Sequence, residues 1–202
     1  MHTQLDLLLC SRYPSIFSVD KDDLQMFGFE CCDGWFTIID AGCELIQRHL
    51  DVTDAEQLVA TQIKEKFGGL RFYYRQGDDY SAAAVDLVES LSARICELCG
   101  RLGNTVSVSG WMQTRCVEHQ STVMHDDLPM HTIRDQLVLA PRMGKLLQAS
   151  LAHFRGDSRA AADWLTRPAR ELREAVPIAV AGSVEGLNEV LMLIESLERR
   201  HI

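Results

Sequence analysis

The sequence predicts an α+β protein with two domains: an N-terminal α+β domain, residues 1–122, that carries a zinc module, and a C-terminal all-α helical domain, residues 130–202. Apolar residues recur at helical spacing over residues 34–49, whereas residues 59–63 and 70–74 alternate between two faces, as strands do. Beyond the N-terminal domain only helix-like periodicity remains, which predicts the all-α part.

A metal-binding pattern lies near the middle of the chain. Cys96 and Cys99 are followed, after sixteen residues, by Cys116 and His119, so the spacing is C-x2-C-x16-C-x2-H. Zinc prefers four sulfur or nitrogen ligands in a tetrahedron, and a two-residue spacer lets one tight turn direct two side chains at one ion. Two unrelated pairs of buried residues are the alternative, but the doubled short spacing favours zinc. Because four protein ligands leave no position for water, this zinc is expected to be structural.

The elements of the N-terminal domain are predicted in order. The segment MHTQLDLLLCSRYPSIF lacks the basic region of a signal peptide and predicts a first helix. Asp33 is placed to cap a helix from about Gly34 to His49. Two strands follow, joined by the tight-turn sequence Phe67-Gly68-Gly69-Leu70. A helix from about Ser81 then leads to Cys96.

A small hairpin is predicted between the two ligand pairs. Its strands are Thr105–Val108 and Trp111–Thr114, and it returns the chain so that the second ligand pair meets the first. The order of helix, paired cysteines, hairpin and second ligand pair resembles a treble-clef-like zinc module.

The C-terminal half is helical in pattern. Apolar residues recur at helical intervals from Ile133 to Phe154, and Gly156-Asp157-Ser158 is expected to end that helix and cap the next. The next helix ends before Pro168, because the residue before a proline disfavours helix. Pro177 interrupts the chain again, and a last amphipathic helix extends from about Val184 to Arg200.

Charge and hydropathy narrow the class of partner. Residues 1–120 hold 10 basic and 18 acidic residues, a net charge of −8, whereas residues 121–202 hold 10 and 11, a net charge of −1. Neither half has the basic excess that drives phosphate binding, so nucleic acid is not favoured unless a local patch exists, and a basic protein partner fits the acidic half better. No stretch is apolar enough to span a bilayer. The cysteines outside the metal pattern lack a disulfide framework, which fits a cytoplasmic protein.

No catalytic residue and no cofactor-binding motif is predicted. Cys31 and Cys32 lie beside Asp33, but no histidine is placed to activate them, and free cysteines are usually small core residues. His125 and His131 are expected to lie in a solvated linker rather than in a second metal site. Because the sequence shows no nucleophile–base pair, phosphate loop or open metal site, we expect no enzymatic activity.

One segment leaves two interpretations open. Basic and aromatic residues interleave along the predicted hairpin: Lys64, Lys66, Arg71, Phe72, Tyr73, Tyr74 and Arg75. A basic face with aromatic rings can stack nucleic-acid bases. An exposed strand face with ordinary aromatic packing is the more common arrangement.

Three segments of the N-terminal domain carry a resemblance to known sequences. They are GFECCDGW, KEKFGGLRFY and the CxxC…CxxH pair, within roughly residues 5–120. This region resembles a domain common in hypothetical proteins of bacteriophages and prophages. That family has no settled activity, so the resemblance implies the domain boundary, the zinc and a mobile-element origin, but no reaction.

A second resemblance is carried by short segments in a fixed order: Gly156-Asp157, Ala161–Leu165, Pro168, Leu172, Pro177–Val180 and Gly186 before the last helix. Residues 145–200 resemble the C-terminal toxin-binding domain of Xre/MbcA/ParS-type antitoxins. The resemblance implies that this region binds and blocks a RES-domain toxin, which destroys NAD, and that the chain forms a homodimer.

The chain departs from that antitoxin pattern in two places. Arg173-Glu174-Ala175 replaces the usual glycine-rich turn before the proline. The helix-turn-helix that such antitoxins usually carry upstream is absent, because the zinc domain takes its place and residues 121–144 are too few to form one. Operator binding is therefore not expected.

The last helix is predicted to carry partner-binding residues. Arg199, Arg200 and His201 give its end positive charge, which can pair with acidic groups or occupy a phosphate-binding pocket of the partner. We therefore expect an antitoxin- or immunity-like protein that neutralises or regulates a toxin. The alternative is a phage or prophage accessory protein whose zinc domain contacts nucleic acid or a host factor, while the helical domain dimerises.

Overall fold

The computed structural model of the protein describes residues 1–17, 28–122 and 130–200. Its α-helices are α1 (Thr3–Arg12), α2 (Phe36–Leu50), α3 (Asp79–Ser92), α4 (Met130–His153), α5 (Ser158–Thr166), α6 (Pro177–Val180) and α7 (Val184–Arg200). Its strands are β1 (Phe29–Glu30), β2 (Val59–Lys66), β3 (Gly69–Arg75), β4 (Asn104–Val108) and β5 (Trp111–Arg115). An α+β part therefore precedes a helical C-terminal part, as the sequence predicts.

The larger sheet has the strand order β1–β2–β3, with β1 parallel and β3 antiparallel to β2. The predicted tight turn between β2 and β3 is confirmed. Phe67 and Gly68 both have positive φ, 54° and 80°, which is the backbone of a type I′ hairpin turn. Glycine adopts this conformation without strain, whereas an aromatic residue does not.

Helix α3 covers the outer edge of β3. The Leu70 amide donates to Ser92 Oγ at 2.8 Å, and the Phe72 amide donates to Glu89 Oε1 at 2.7 Å. These bonds satisfy edge groups that would otherwise pair with another strand. The helix begins slightly before the predicted Ser81, because Asp78 caps it by accepting a hydrogen bond from the Ser81 amide at 2.9 Å.

The predicted capping role of Asp33 is wrong. A short 3-10 helix, Asp33–Trp35, precedes α2, which begins at Phe36. The Asp33 carboxylate accepts a hydrogen bond from the backbone N–H of His2 at 2.6 Å instead. Asp33 therefore ties the N-terminal segment to the start of the core.

Helix α2 lies at the centre of the molecule and is buried on almost all sides. Helices α3 and α4 both pack against it, and α5 packs against α3. Apolar side chains of both parts of the chain, such as Ile46 and Leu147, belong to one hydrophobic core. The division into separately folding domains at residues 122 and 130 stays a prediction.

The C-terminal elements follow the predicted turn signals. Asp157 caps α5 by accepting a hydrogen bond from the Ala160 amide at 2.9 Å, and Pro177 occupies the first turn of α6. His131 belongs to α4 rather than to a linker, whereas His125 lies outside the described residues. Among the described residues, no helix is long and apolar enough to cross a membrane.

Candidate functional site

The metal-ligand pattern converges at one point in the structure. The Sγ atoms of Cys96, Cys99 and Cys116 and a ring nitrogen of His119 all lie within 4.8 Å of one another. The Cys99 and Cys116 sulfurs are 3.7 Å apart, and His119 Nδ1 lies 3.3 Å from the Cys116 sulfur. Two sulfurs bound tetrahedrally at about 2.3 Å from zinc would be about 3.8 Å apart. These residues can therefore hold a metal ion, and their spacing is consistent with zinc.

The first ligand pair is held by a tight turn after α3. The Gly100 amide donates to the Cys96 carbonyl at 2.8 Å, and the Cys96 amide donates to the Arg101 carbonyl at 2.7 Å. Gly100 has a φ of 77°, so a glycine is required to close this turn without strain. Gly34 packs directly behind it, since a Cβ there would lie 2.3 Å from the Cys96 carbonyl oxygen.

The second ligand pair follows the β4–β5 hairpin. Cys116 comes directly after β5 and precedes a one-turn 3-10 helix, Val117–His119. The His119 amide donates to the Cys116 carbonyl at 3.0 Å, which brings both side chains to the same side of the turn. The hairpin predicted from Thr105–Val108 and Trp111–Thr114 is thereby confirmed, one residue longer at two of its ends.

The thiols are coupled electrostatically. A hydrogen bond from the Cys96 thiol lowers the pKa of Cys99, and the same bond raises the pKa of Cys96. The backbone N–H of Arg101 also stabilises the Cys99 thiolate. A thiolate is the form that binds metal, so the lowered pKa of Cys99 favours metal binding.

A buried ion pair links the two ligand turns. Glu97 lies between the first two cysteines and Arg115 directly precedes Cys116, and their side chains form a salt bridge with exposures of only 1% and 0%. Burial raises the pKa of Glu97, although Arg115 opposes that shift. Arg115 also donates to Gln113 Oε1 at 2.8 Å. This ion pair was not predicted from the sequence. The sequence signal for it is that two residues of opposite charge, Glu97 and Arg115, each adjoin a candidate metal ligand.

Gln136 connects the metal centre to the helical part. From α4 its side-chain Nε2 donates to the Cys99 carbonyl at 3.0 Å. Its Oε1 accepts from the Thr37 amide at 3.3 Å and also from the Thr37 hydroxyl. One buried amide thus joins the first ligand turn, α2 and α4. The sequence carried no signal for it, because a single glutamine in a helical pattern is normally a surface residue.

The predicted partner-binding residues lie at the end of α7. Arg199 is exposed there, the side chain of Arg200 is not described, and His201 lies outside the described residues. The face of α7 that includes Arg199 is mainly acidic, with exposed Glu185, Glu189 and Glu195 around Met192, which is 68% exposed. On the opposite side of the helix, Leu187, Val190 and Ile194 are buried in the core.

Comparison with protein families gives a match that covers this region. Residues 150–200 match the antitoxin Xre/MbcA/ParS C-terminal toxin-binding domain. The match spans the end of α4 through α7 and indicates a toxin–antitoxin role with a protein partner. No curated protein and no solved structure matches the chain.

The segment that matches the toxin-binding domain contains the unusual turn Arg173-Glu174-Ala175. Arg173 and Glu174 both adopt positive φ, 56° and 64°, where glycine is the normal residue. The loop therefore keeps a left-handed backbone without glycine. The family match does not extend to residues 5–120, so the resemblance of that region to phage and prophage proteins stays a prediction.

Proposed function

We propose that this protein acts as an antitoxin: its C-terminal helical region binds a toxin and blocks it. The observation that carries this proposal is the match of residues 150–200 to a toxin-binding domain, on a region whose last helix presents an exposed charged face. A RES-type, NAD-degrading toxin is the partner that the resemblance implies, and it is the first candidate to test. A homodimer is part of the same proposal.

The exposed face of α7 is the proposed contact surface. Glu185, Glu189, Met192 and Arg199 share it, because they are spaced by three, four or seven residues. An apolar side chain surrounded by carboxylates fits a basic partner surface that contains an apolar socket. The charge along this face changes from negative at Glu185 and Glu189 to positive at Arg199. A partner with the complementary charges can therefore bind in only one orientation.

We further propose that the metal is zinc and that its role is structural. Four protein ligands complete a tetrahedron and leave no position for a substrate or a water molecule. Burial raises the pKa of Cys32 to about 12 and also raises the pKa of Cys31, which disfavours thiolate chemistry at that pair. The protein is therefore proposed to act by binding and not by catalysis.

The test is growth rescue. The protein is co-expressed with toxins from its own genome, beginning with RES-type toxins encoded nearby, and colony growth is scored. Wild type should rescue growth, and Met192→Asp should not, because the charge prevents insertion of residue 192 into an apolar socket. Val138→Asp is the matched control: Val138 is exposed on α4, outside the matched residues, so this variant should still rescue.

Two further variants separate binding from folding. Deletion of residues 198–202 should weaken rescue more than it lowers thermal stability, because residues 198–200 form the charged end of α7. Leu191→Asp should reduce both, since Leu191 packs against the core. If the protein does not restore growth in the presence of any toxin, and the purified protein only binds itself, the C-terminal region is a dimerisation domain and the proposal is wrong.

A further inference from the structure

The β1–β2–β3 sheet has an outer face that the proposed antitoxin role does not use. Alternate residues of β2 and β3 that point away from the core present four cationic side chains and one aromatic ring: Lys64, Lys66, Arg71, Tyr73 and Arg75. The inward residues Ile63, Leu70 and Phe72 are buried. The interleaved sequence therefore separates into a basic face with Tyr73 and an apolar face with Phe72.

Exposed aromatic rings lie beside the cations of this face. Tyr73 is 41% exposed, and the Lys64 ammonium lies 5.5 Å from the centre of its ring. Phe67, at the hairpin turn, is 77% exposed, with the Lys66 ammonium 5.7 Å from its ring centre. The turn packs against β5, where Trp111 is 75% exposed. One ammonium group therefore lies beside each of two exposed rings, Tyr73 and Phe67.

Two features of this face reduce stability. Phe67 has a φ of 54°, which is strained for an aromatic residue and would suit asparagine or glycine. Lys64 and Arg71 are directly opposite each other across β2 and β3, so two like charges are neighbours. Strained or repulsive arrangements of this kind concentrate at functional sites. A bound anion would relieve the repulsion.

Acidic groups lie beside two cations of this face, Arg71 and Lys64. Glu89 Oε2 lies 3.8 Å from Arg71 Nη1. Glu30, the β1 neighbour of Lys64, accepts a hydrogen bond from Gln62 at 3.1 Å. Lys66 and Tyr73 remain exposed at the solvent surface.

We propose that the outer face of the β1–β2–β3 sheet binds single-stranded nucleic acid. Lys64, Lys66 and Arg71 would contact successive phosphates, while Tyr73 and Phe67 would stack on bases. Single strands fit this face better than duplexes, because only unpaired bases present their rings for stacking. A lipid surface or an acidic protein would use the cations but would leave the two exposed rings without a role.

The experiment measures fluorescence anisotropy with the full-length, zinc-loaded protein. The probes are oligo(dT), oligo(U) and duplex DNA of the same length, with phosphatidylserine vesicles and polyglutamate as competitors. Oligo(dT) or oligo(U) should bind more tightly than the duplex, and the ratio of the two distinguishes DNA from RNA as the source. If three phosphates are neutralised, log K should fall with log salt at a slope of about −2.1.

Matched variants separate stacking from charge. Phe67→Asn removes the ring but suits the turn, so affinity should fall roughly 5- to 100-fold while thermal stability stays equal or rises. Tyr73→Ser should lose affinity, and Tyr73→Phe should keep it. The double variant Lys64→Gln/Lys66→Gln should leave a slope of about −0.7, because one of the three phosphate contacts remains. Arg159→Gln/Arg170→Gln removes the same charge from exposed residues of the C-terminal part and should change neither quantity.

Several results would contradict the nucleic-acid proposal. Equal affinity for duplex and single strands, or unchanged binding by both Phe67→Asn and Tyr73→Ser, overturns the proposal. Binding only to vesicles or to polyglutamate, or no binding to any probe at low salt, also overturns it. None of these outcomes depends on whether the protein restores growth in the presence of a toxin. Failure of the nucleic-acid proposal is therefore distinguishable from failure of the antitoxin proposal.

Discussion

The two parts of the chain differ in what holds them together and in what they expose. The turns around the candidate metal centre are joined by metal ligands and by the buried Glu97–Arg115 pair, whereas α4–α7 pack through aliphatic side chains. The charge of each exposed face differs from what the net charge of its half suggests. The half with a net charge of −8 presents a basic sheet face, and the nearly neutral half presents an acidic face on α7.

This reversal shows that the total charge of a segment does not predict its binding surface. Strand alternation puts Lys64, Lys66 and Arg71 on one face of the sheet, and helical periodicity puts Glu185 and Glu189 on one face of α7. Binding depends on such local arrangements, since charges beyond about 10 Å are largely screened.

Loss of a metal ligand should have the largest effect. Cys99→Ser should release the metal and destabilise the N-terminal part, because metal binding is coupled to folding. Elemental analysis should find one zinc per chain in the wild type and little in the variant, with a large fall in melting temperature. Cys10→Ser, which changes an exposed cysteine outside the cluster, is the control. Wild-type protein that carries well under one equivalent after purification without chelator would contradict the zinc assignment.

Breaking the buried ion pair should have the next largest effect. Arg115→Met leaves the Glu97 carboxylate buried without its partner and should reduce the free energy of unfolding by roughly 3–5 kcal/mol. Urea denaturation measures the change. Arg101→Met breaks an exposed pair with Glu118 in the same module and should change stability very little. Similar losses in both variants would mean that burial is not the cause.

Gln136 supplies hydrogen bonds that connect α4 to the first ligand turn and to α2. Gln136→Leu leaves the Cys99 carbonyl and the Thr37 amide without this partner, so stability should fall by roughly 1–3 kcal/mol. Transfer of zinc to a chelator should also become faster, because the first ligand turn loses its support from α4. Gln148→Leu, at an exposed position of the same helix, is the control. Unchanged zinc transfer in Gln136→Leu would show that the two parts are not coupled here.

The smallest expected effect lies in the strained turn of the segment that matches a toxin-binding domain. Glu174 has a φ of 64°, so Glu174→Gly should relieve strain and raise stability by up to about 1 kcal/mol. Glu171→Gly lies in the short 3-10 helix before the turn and should lower stability instead. Differential scanning calorimetry of both variants checks the sign. A loss of stability in Glu174→Gly would mean that its side chain matters more than its backbone.

Local patterns in the sequence predict the elements well. The ligand spacing locates the metal cluster, and the signals at Phe67-Gly68, Asp157 and Pro177 locate turns or caps that the structure confirms. The misplaced cap at Asp33 has a different cause. Its preferred partner, the His2 amide, lies 31 residues away in the chain, so no local pattern reveals it.

The interactions that connect distant elements could not be predicted in the same way. Glu97 and Arg115 pair only because the hairpin folds back, and Gln136 reaches the Cys99 carbonyl only because α4 packs along α2. Such contacts depend on tertiary packing, which a single sequence does not specify locally. The charged faces could not be inferred from composition for a similar reason. The net charge of a segment adds up residues that the fold places on different faces.

We propose that the two parts bind different partners through oppositely charged faces. The most direct measurement compares two double variants, Glu185→Lys/Glu189→Lys on α7 and Lys64→Gln/Lys66→Gln on the sheet. Calorimetric titration with the purified cognate toxin and anisotropy with a single-stranded oligonucleotide give both affinities for each protein. The α7 variant should lose toxin binding and keep oligonucleotide binding, and the sheet variant should do the reverse. If either variant weakens the binding of toxin and oligonucleotide equally, or changes neither affinity, the two faces do not have separate roles.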